Sequence, residues 1–500
     1  MKKIKLIKYL AFSFLLVGMW SCDEIFDDAQ PSTQISVSDA LETEAGVNGV
    51  RSSMYAKILG SFDMTTEYMV GPGALADETF NRPGSTRFNA LNNSVSTSGT
   101  AHISPFGGAY ELIQDANLII NSIPDGVLDD ATRDQYRGEA LALRAWAYHT
   151  LVRALGYEPG NFSNGPTSGF NLGVMLRTDA TLDLADAEPV ARNTVDEVYA
   201  QIRADLASAI TLLTASSTGA VTSRNGFATM EFAMAMQARV ELYAGEWAAA
   251  STAAQAAITA SGLTLVSDSA AIGTMFAMAN PEALFEIKVN ASTEAIAGGN
   301  TNSGLAAYTS DQWVAQVPTN YVLDLYDPAD NRLQGWYNDC IAQQTSGATA
   351  NGCATINDEG FSVTKWNGYK GNFVDDIPYF RIAELYLIQA EAAAKSGGIA
   401  AGVGPLNTLR AARGLGPVAA GDFANITAFE DEILNERTRE LVVEGHRFWD
   451  LKRLGRDIPS GVSADLKMRS DSFRILAPFG TTLQNVNPLL VENPEYEVSE

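Results

Sequence analysis

The stretch that most restricts how this chain can fold lies near its end: residues 431–455, DEILNERTRELVVEGHRFWDLKRLG. Ile433, Leu434, Leu441, Val442, Phe448, Leu451 and Leu454 recur at helical spacing, so one face is set for burial. Gly445 interrupts the pattern, marking a helix end with a second helix starting near His446. Between the apolar positions stand Arg437, Arg439, Glu440, Glu444, Arg447 and Asp450. Charges this dense beside Phe448, Trp449 and Leu451 are partly buried and must be paired. Glu444 and Arg447 are three apart, as are Arg447 and Asp450, which predicts alternating ion pairs along the helix. The competing reading makes Glu440 and Glu444 a catalytic carboxylate pair. A basic neighbour within one turn of every acid favours a structural lattice.

The same residues carry a resemblance. Glu436-Arg437-x-Arg439-Glu440-Leu441-x-x-Glu444-Gly445-x-Arg447-Phe448-x-Asp450-Leu451 resembles the signature of the SusD/RagB family, the surface glycan- and nutrient-binding lipoproteins of Bacteroidetes-type outer membranes. Ile377-Pro378-Tyr379-Phe380-Arg381-x-Ala383-Glu384-Leu385 is similar to a second family segment, and Tyr326 followed by Asp330-x-Arg332 to a third. The family's usual Asn-Pro before Gly-Tyr reads Asn493-Pro494-Glu495-Tyr496 here, with Glu in the Gly position. The resemblance implies a mainly α, SusD-like fold: a tetratricopeptide-like helical-pair scaffold with a loop-rich insert carrying short strands. It also implies a non-enzymatic role. The protein would bind an oligosaccharide and lid a SusC-like TonB-dependent transporter; peptides are an alternative cargo, and a surface glycoside hydrolase a more distant one.

The amino end fits that setting. Lys2, Lys3, Lys5 and Lys8 precede an apolar run from Tyr9 to Trp20. A bilayer span needs about 20 apolar residues, so this run has the length of a signal-peptide core instead. It ends in Ser21-Cys22, like a lipobox in which Cys22 is lipidated and becomes the first mature residue. An ordinary secretion signal with an incidental cysteine is the plainer alternative. The expected layout is a signal peptide (1–21), a lipidated acidic tether (22–36, with Asp23, Glu24, Asp27 and Asp28), and one domain (37–500). A loop-rich insert occupies about 280–372. An acyl anchor holds such a protein on the outer membrane, at the cell surface, without crossing it.

Composition narrows the partners. Hydrophobic residues at 46% against 19% charged describe a chain able to build a substantial core. The formal net charge is −25, and removing the four signal lysines takes it to −29. Such a chain repels phosphate backbones, which disfavours nucleic acid, and suits neutral or cationic ligands. Of three cysteines, Cys340 and Cys353 close a Gly-, Ser- and Thr-rich loop. Outside the cell this spacing is compatible with a disulfide, two free thiols being the alternative. The three histidines, His102, His149 and His446, are far from them in sequence, so no metal site is expected. His149 reads as a packing residue in an apolar helix, His446 as a partner within the charged cluster, and His102 as a loop residue.

Helical periodicity predicts helices over 37–59, 106–123, 131–155, 194–213, 224–243, 248–260, 378–395, 404–414 and 428–455, with Thr194 and Glu197 as a capping box. Residues 281–289 alternate like a strand. The polar stretch 61–104 is long enough for an unstructured loop to be functional. No phosphate-binding loop, Gly-x-Ser-x-Gly elbow or His-Glu-x-x-His occurs, so no cofactor is expected. Gly402-Val-Gly404 reads as a helix-entry turn. Two catalytic carboxylates can hide in any sequence, which leaves glycoside hydrolysis open. Sugar recognition favours aromatic faces plus amides, carboxylates or Arg for hydroxyls. The two loop regions supply that mixture: Asp77, Asn81, Arg82 and Phe88 in one; Tyr308, Trp313, Trp336, Trp366 and Tyr369 in the other.

Overall fold

A computed structural model describes residues 36–496 except 63, 65–66, 83–84, 86–87, 93–101, 105, 161–168, 184–186, 217–225, 278, 291–304, 306–308, 310–314, 340–360, 372–373 and 464–465. Cys22, Tyr308, Trp313, Cys340 and Cys353 therefore lie outside the described residues. The principal helices are α1 (Glu44–Leu59), α2 (Glu67–Leu75), α3 (Phe106–Asn121), α4 (Asp130–Leu155), α5 (Val195–Ser216), α6 (Met230–Tyr243), α7 (Trp247–Ser261), α8 (Ile382–Gly397), α9 (Ile399–Ala412), α10 (Ile426–Glu440), α11 (Arg447–Arg453) and α12 (Thr481–Val486). From α4 to α9 each helix packs on the one before it, the arrangement of a helical-pair scaffold.

Local chemistry explains several of the boundaries. Thr194 and Glu197 do form the capping box: Thr194 N donates to Glu197 Oε2 at 2.8 Å and Glu197 N to Thr194 Oγ1 at 3.3 Å. The helix expected over 37–59 is two. Thr43 breaks it, its hydroxyl accepting from Gly46 N at 3.1 Å to cap α1 after a short turn, Val37–Leu41. The expected loop 61–104 contains α2, which is buried from Tyr68 to Leu75 even though Gly71, Pro72 and Gly73 weaken its helical signal. The helix expected over 378–395 starts later, because Ile377–Arg381 is a strand. Gly402 is no entry turn. It lies inside α9, where a Cβ would meet the Ala390 carbonyl at 2.3 Å, so the glycine lets α9 close on α8.

The strands are short: β1 (Thr79–Asn81), β2 (Ala283–Ile287), β3 (Gln316–Pro318), β4 (Tyr337–Asp339), β5 (Phe361–Val363), β6 (Ile377–Arg381), β7 (Ile458–Pro459) and β8 (Leu466–Met468). Among the described residues they form antiparallel pairs, β1–β3, β2–β6, β4–β5 and β7–β8. β2 is buried on both faces rather than half-exposed, because Phe285 stacks on Phe232 of α6 at 4.5 Å. The main core centres on Trp146 of α4. Its ring meets Phe62, Phe232 and Phe285 edge-on, and its Nε1 donates to Tyr379 Oη at 2.8 Å.

The charged signature is buried, as its composition requires, but its pairs are mostly not local. Arg381 of β6 reaches Glu440 at 2.8 Å, Glu444 at 2.6 Å and Glu282 at 3.0 Å. Arg413 joins Glu440 and Glu282 at 2.8 and 2.9 Å, while Arg332 joins Asp330 at 2.7 Å and Glu440 at 2.8 Å. Lys365 completes the lattice on Glu444 at 2.6 Å. Of the predicted neighbours, Glu444 and Arg447 do not pair. Arg447 turns to Asp77, and Asp450 is held by Arg437 at 2.7 Å and Arg453 at 2.9 Å. Burial alone would raise the Glu440 carboxyl, yet Arg413 and Arg381 hold it well below the usual range. Glu440 and Glu444 are 0% and 4% exposed, so neither can meet a substrate as the chain stands.

Candidate functional site

The two loop regions meet at the β1–β3 pair, in register Thr79↔Pro318, Phe80↔Val317 and Asn81↔Gln316. Just beyond, Arg82 N donates to Ala315 O at 3.2 Å, and Ser85 N to Arg82 O at 3.0 Å. The chain then turns through Phe88, whose φ is 58°, into the short helix Asn89–Asn92. Asn81, Arg82 and Phe88 are all part-exposed here, at or just beyond the Asn81↔Gln316 end of the pair.

Beneath this edge lies an amide network that sequence reasoning missed. Buried Gln316 donates from Nε2 to Asn81 Oδ1 and, at 3.2 Å, to Asn92 Oδ1; its Oε1 accepts from Thr79 Oγ1 at 3.1 Å. Asn92 in turn donates to Ala74 O at 2.9 Å and Thr79 O at 3.1 Å. Lys467 of β8 closes the base, donating to Ala74 O at 2.8 Å and Leu91 O at 3.0 Å. Burial lowers its ammonium to about 7. Glu78, one residue before β1, accepts from Val443 N at 2.8 Å, and burial raises its carboxyl to about 7. Isolated amides in a polar stretch carry no periodic signal, so only the β1–β3 pairing reveals them.

Other proposed contacts are placed elsewhere. Asp77 is buried and gripped by Arg447, with Nε–Oδ1 at 2.7 Å and Nη2–Oδ2 at 2.9 Å, so its carboxylate serves the scaffold. Trp336 and Trp366 are core residues, 1% and 0% exposed, and neither can stack on a ligand in this arrangement. Both pack edge-on against Phe276, and Lys365 Nζ sits 4.1 Å from the Trp336 ring centre. They roof the buried charges with aromatic faces. Tyr369 is 41% exposed, on a turn that Asp375 ties down by accepting from Gly368 N at 2.7 Å and Lys370 N at 3.0 Å.

The histidines are not exposed bases. His149 packs edge-on against Tyr243 at 5.1 Å, with no hydrogen-bond partner for its ring nitrogens among the described residues; burial holds it well below its usual pKa. His446 Nδ1 lies 3.3 Å from Arg437 Nη2, a partner within the charged cluster as expected. His102, expected in a surface loop, packs against Phe448 at 5.4 Å, and burial lowers it to about 4.

The helical scaffold agrees with what comparison finds. Residues 334–496 match the family model described as SusD family, and residues 26–242 match the one described as starch-binding associating with outer membrane. The chain belongs to the SusD/RagB family. A SusD-like protein, P38, from Formosa agariphila is 25% identical across 99% of this chain and 100% of its own length. A SusD superfamily crystal structure from Bacteroides thetaiotaomicron superposes with TM-score 0.72 at 23% identity, covering 92% of this chain and all of that one. A laminarin-binding SusD-like protein gives TM-score 0.70 at 22% identity, covering 91% of this chain and 100% of that one. At these identities the structures show a common fold. Within the SusD family, some relatives are named for carbohydrate binding, and starch binding and association with the outer membrane are part of one model's description.

Proposed function

We propose that this SusD-family chain is a lipid-anchored protein of the outer-membrane surface that binds an oligosaccharide and passes it to a SusC-like TonB-dependent transporter without cleaving it. The observation that carries the reading is the β1–β3 junction. It joins two loop regions rich in sugar-binding residue types at one edge, where Asn81, Arg82 and Phe88 stand part-exposed over a rigid amide base. Planar amides and a guanidinium suit paired sugar hydroxyls, and aromatic rings suit the apolar ring face. The lattice carboxylates are neutralised by arginines, which favours binding over acid–base chemistry. Cys22 would be the anchor.

Calorimetry and a glycan array on protein lacking residues 1–22 test this directly, with starch and laminarin oligosaccharides as first probes. Saturable binding without product release is the expected result, weakened at least about tenfold in Arg82→Ala, since a lost charge-assisted bond is worth about 1.5–3 kcal/mol. Time-dependent depolymerisation would overturn it in favour of a hydrolase. Binding of basic peptides but no glycan would transfer the site to the peptide reading, which the net charge of −29 suits.

A further inference from the structure

A cavity of about 270 Å³ is lined by α3, by Met175, Arg177 and residues 187–189, and by α12 with the residues just after it. Phe106 and Tyr110 form one wall; Leu483, Val486 and Leu490 form another. Apart from Glu188, whose side chain is exposed, the polar side chains around it are engaged by the surrounding framework. Tyr110 Oη donates to Met175 O at 2.6 Å. Gln114 holds both the carbonyl and the amide of Thr181, at 2.7 and 3.0 Å. Asn117 Nδ2 donates to Arg177 O at 2.9 Å while its Oδ1 accepts from Arg144, and Asn487 spans Val190 O and Leu489 N. A sugar in this cavity would have to take those groups from the framework, so the cavity suits an apolar occupant.

Its surroundings point the same way. Leu182, Val486, Leu489 and Val491, on the segments that build it, are 50%, 71%, 51% and 55% exposed. Clustered exposed aliphatics mark a contact surface more often than scattered ones. The exposed charges on these segments are acidic, at Asp179, Asp183, Glu188 and Glu495. Arg177, Arg192 and Arg474 are half-buried or buried. A negative rim around an apolar socket complements a segment that carries an apolar anchor between basic residues.

We propose that this socket receives an aliphatic or aromatic side chain, flanked by lysine or arginine, from the transporter on which the protein sits. This rests on the transporter partnership proposed above. The test purifies tagged full-length protein from detergent-solubilised outer membranes and quantifies the transporter that comes with it. Val486→Glu with Leu489→Glu is expected to cut that transporter at least about tenfold, as truncating a central anchor does. Glu188→Lys should weaken it in the same direction, with thermal unfolding and glycan affinity of the soluble forms unchanged. Unaltered co-purification by these variants overturns the socket and leaves the partnership intact. Absence of transporter from the wild-type preparation removes the partnership itself. Loss of glycan affinity in the variants makes the cavity a glycan subsite. A wild-type dimer abolished by the same changes makes the surface a self-contact; either result overturns the inference.

Discussion

Arg447 and Asp77, 370 positions apart in sequence, form a two-pronged buried ion pair, Nε–Oδ1 at 2.7 Å and Nη2–Oδ2 at 2.9 Å. The pair ties α11, in the C-terminal signature, to the turn that leads into β1 and the candidate ligand edge. Removing one partner leaves an uncompensated charge, so Asp77→Ala or Arg447→Ala should each cost about 3–5 kcal/mol. Replacing both by apolar residues of similar size should cost clearly less than the sum. Urea unfolding of the four proteins measures this. Additive losses would show that the two side chains do not act as a pair.

Glu78 gives the fold a titration that can be read. Its carboxyl is raised to about 7, chiefly by burial. Between its unfolded value of 4.5 and about 7 the native state therefore holds the proton more tightly than the unfolded chain does. By linkage this contribution is fully present below 4.5 and is lost as pH rises through 7. Glu78→Gln keeps an acceptor for Val443 N and carries no charge to bury. Its stability relative to wild type should climb across that window by about 3 kcal/mol and stay level above it. Denaturant midpoints from pH 4.5 to 8 supply the check; a difference that does not vary with pH would refute it.

Much of the scaffold was legible because its signals are local. The capping box at Thr194 and the interruption at Gly445 depend on a few adjacent residues; the box and the start of α11 stand where the sequence puts them, although α10 already ends at Glu440 rather than at Gly445. The ion pairs were legible only as a need for partners. Spacing names neighbours three residues away, whereas Glu440 finds Arg332, Arg381 and Arg413 on other elements. α2 was hidden by Gly71, Pro72 and Gly73, where tertiary burial overrides poor propensity. At the candidate site, Asn81 and Arg82 could be picked by residue type, but Gln316 and Asn92 could not. Their role exists only once β1 and β3 pair.

That role predicts a separation of effects. Gln316→Ala removes the bridge between Asn81 and Asn92 and leaves both amides short of a partner. A stability loss of about 1–3 kcal/mol should follow, together with weaker glycan binding as Asn81 loses its fixed orientation. Calorimetry with the best glycan found for wild type measures the second effect. Full affinity in a destabilised Gln316→Ala protein would mean that ligand does not depend on this edge.

Glu495 offers a change in the opposite direction. Its φ of 63° lies in the left-handed region, at the place where the family usually carries Gly. The residues beside it are anchored: Asn493 Nδ2 donates to Ala477 O at 2.6 Å and Tyr496 Oη to Leu476 O at 3.0 Å, so the turn cannot relax freely. Glu495→Gly removes the steric cost of a Cβ at that φ while loosening the unfolded chain slightly. A net gain of about 0.5–1 kcal/mol is expected, seen as a higher urea midpoint. A lower midpoint would show that Glu495 makes compensating contacts worth more than the strain.

The aromatic residues supply the sharpest contrast, because composition treated them alike and burial separates them. Trp336 donates from Nε1 to Ile272 O at 3.0 Å and lies against Lys365, whose ammonium is itself lowered to about 8 by burial. Trp336→Phe keeps an aromatic face but loses that hydrogen bond and part of the ring. It should cost about 1–3 kcal/mol, since the Ile272 carbonyl is left without its donor. Glycan affinity of the folded protein should not move. Tyr369 stands at the other extreme, its ring exposed and its hydroxyl donating to Thr364 O at 2.9 Å. Tyr369→Ala should leave the urea midpoint within about 0.5 kcal/mol of wild type, as surface changes generally do, and weaken glycan binding if its ring stacks on sugar. Reversed outcomes, with Trp336→Phe losing ligand and Tyr369→Ala losing stability, would mean that the lattice roof opens to ligand in solution.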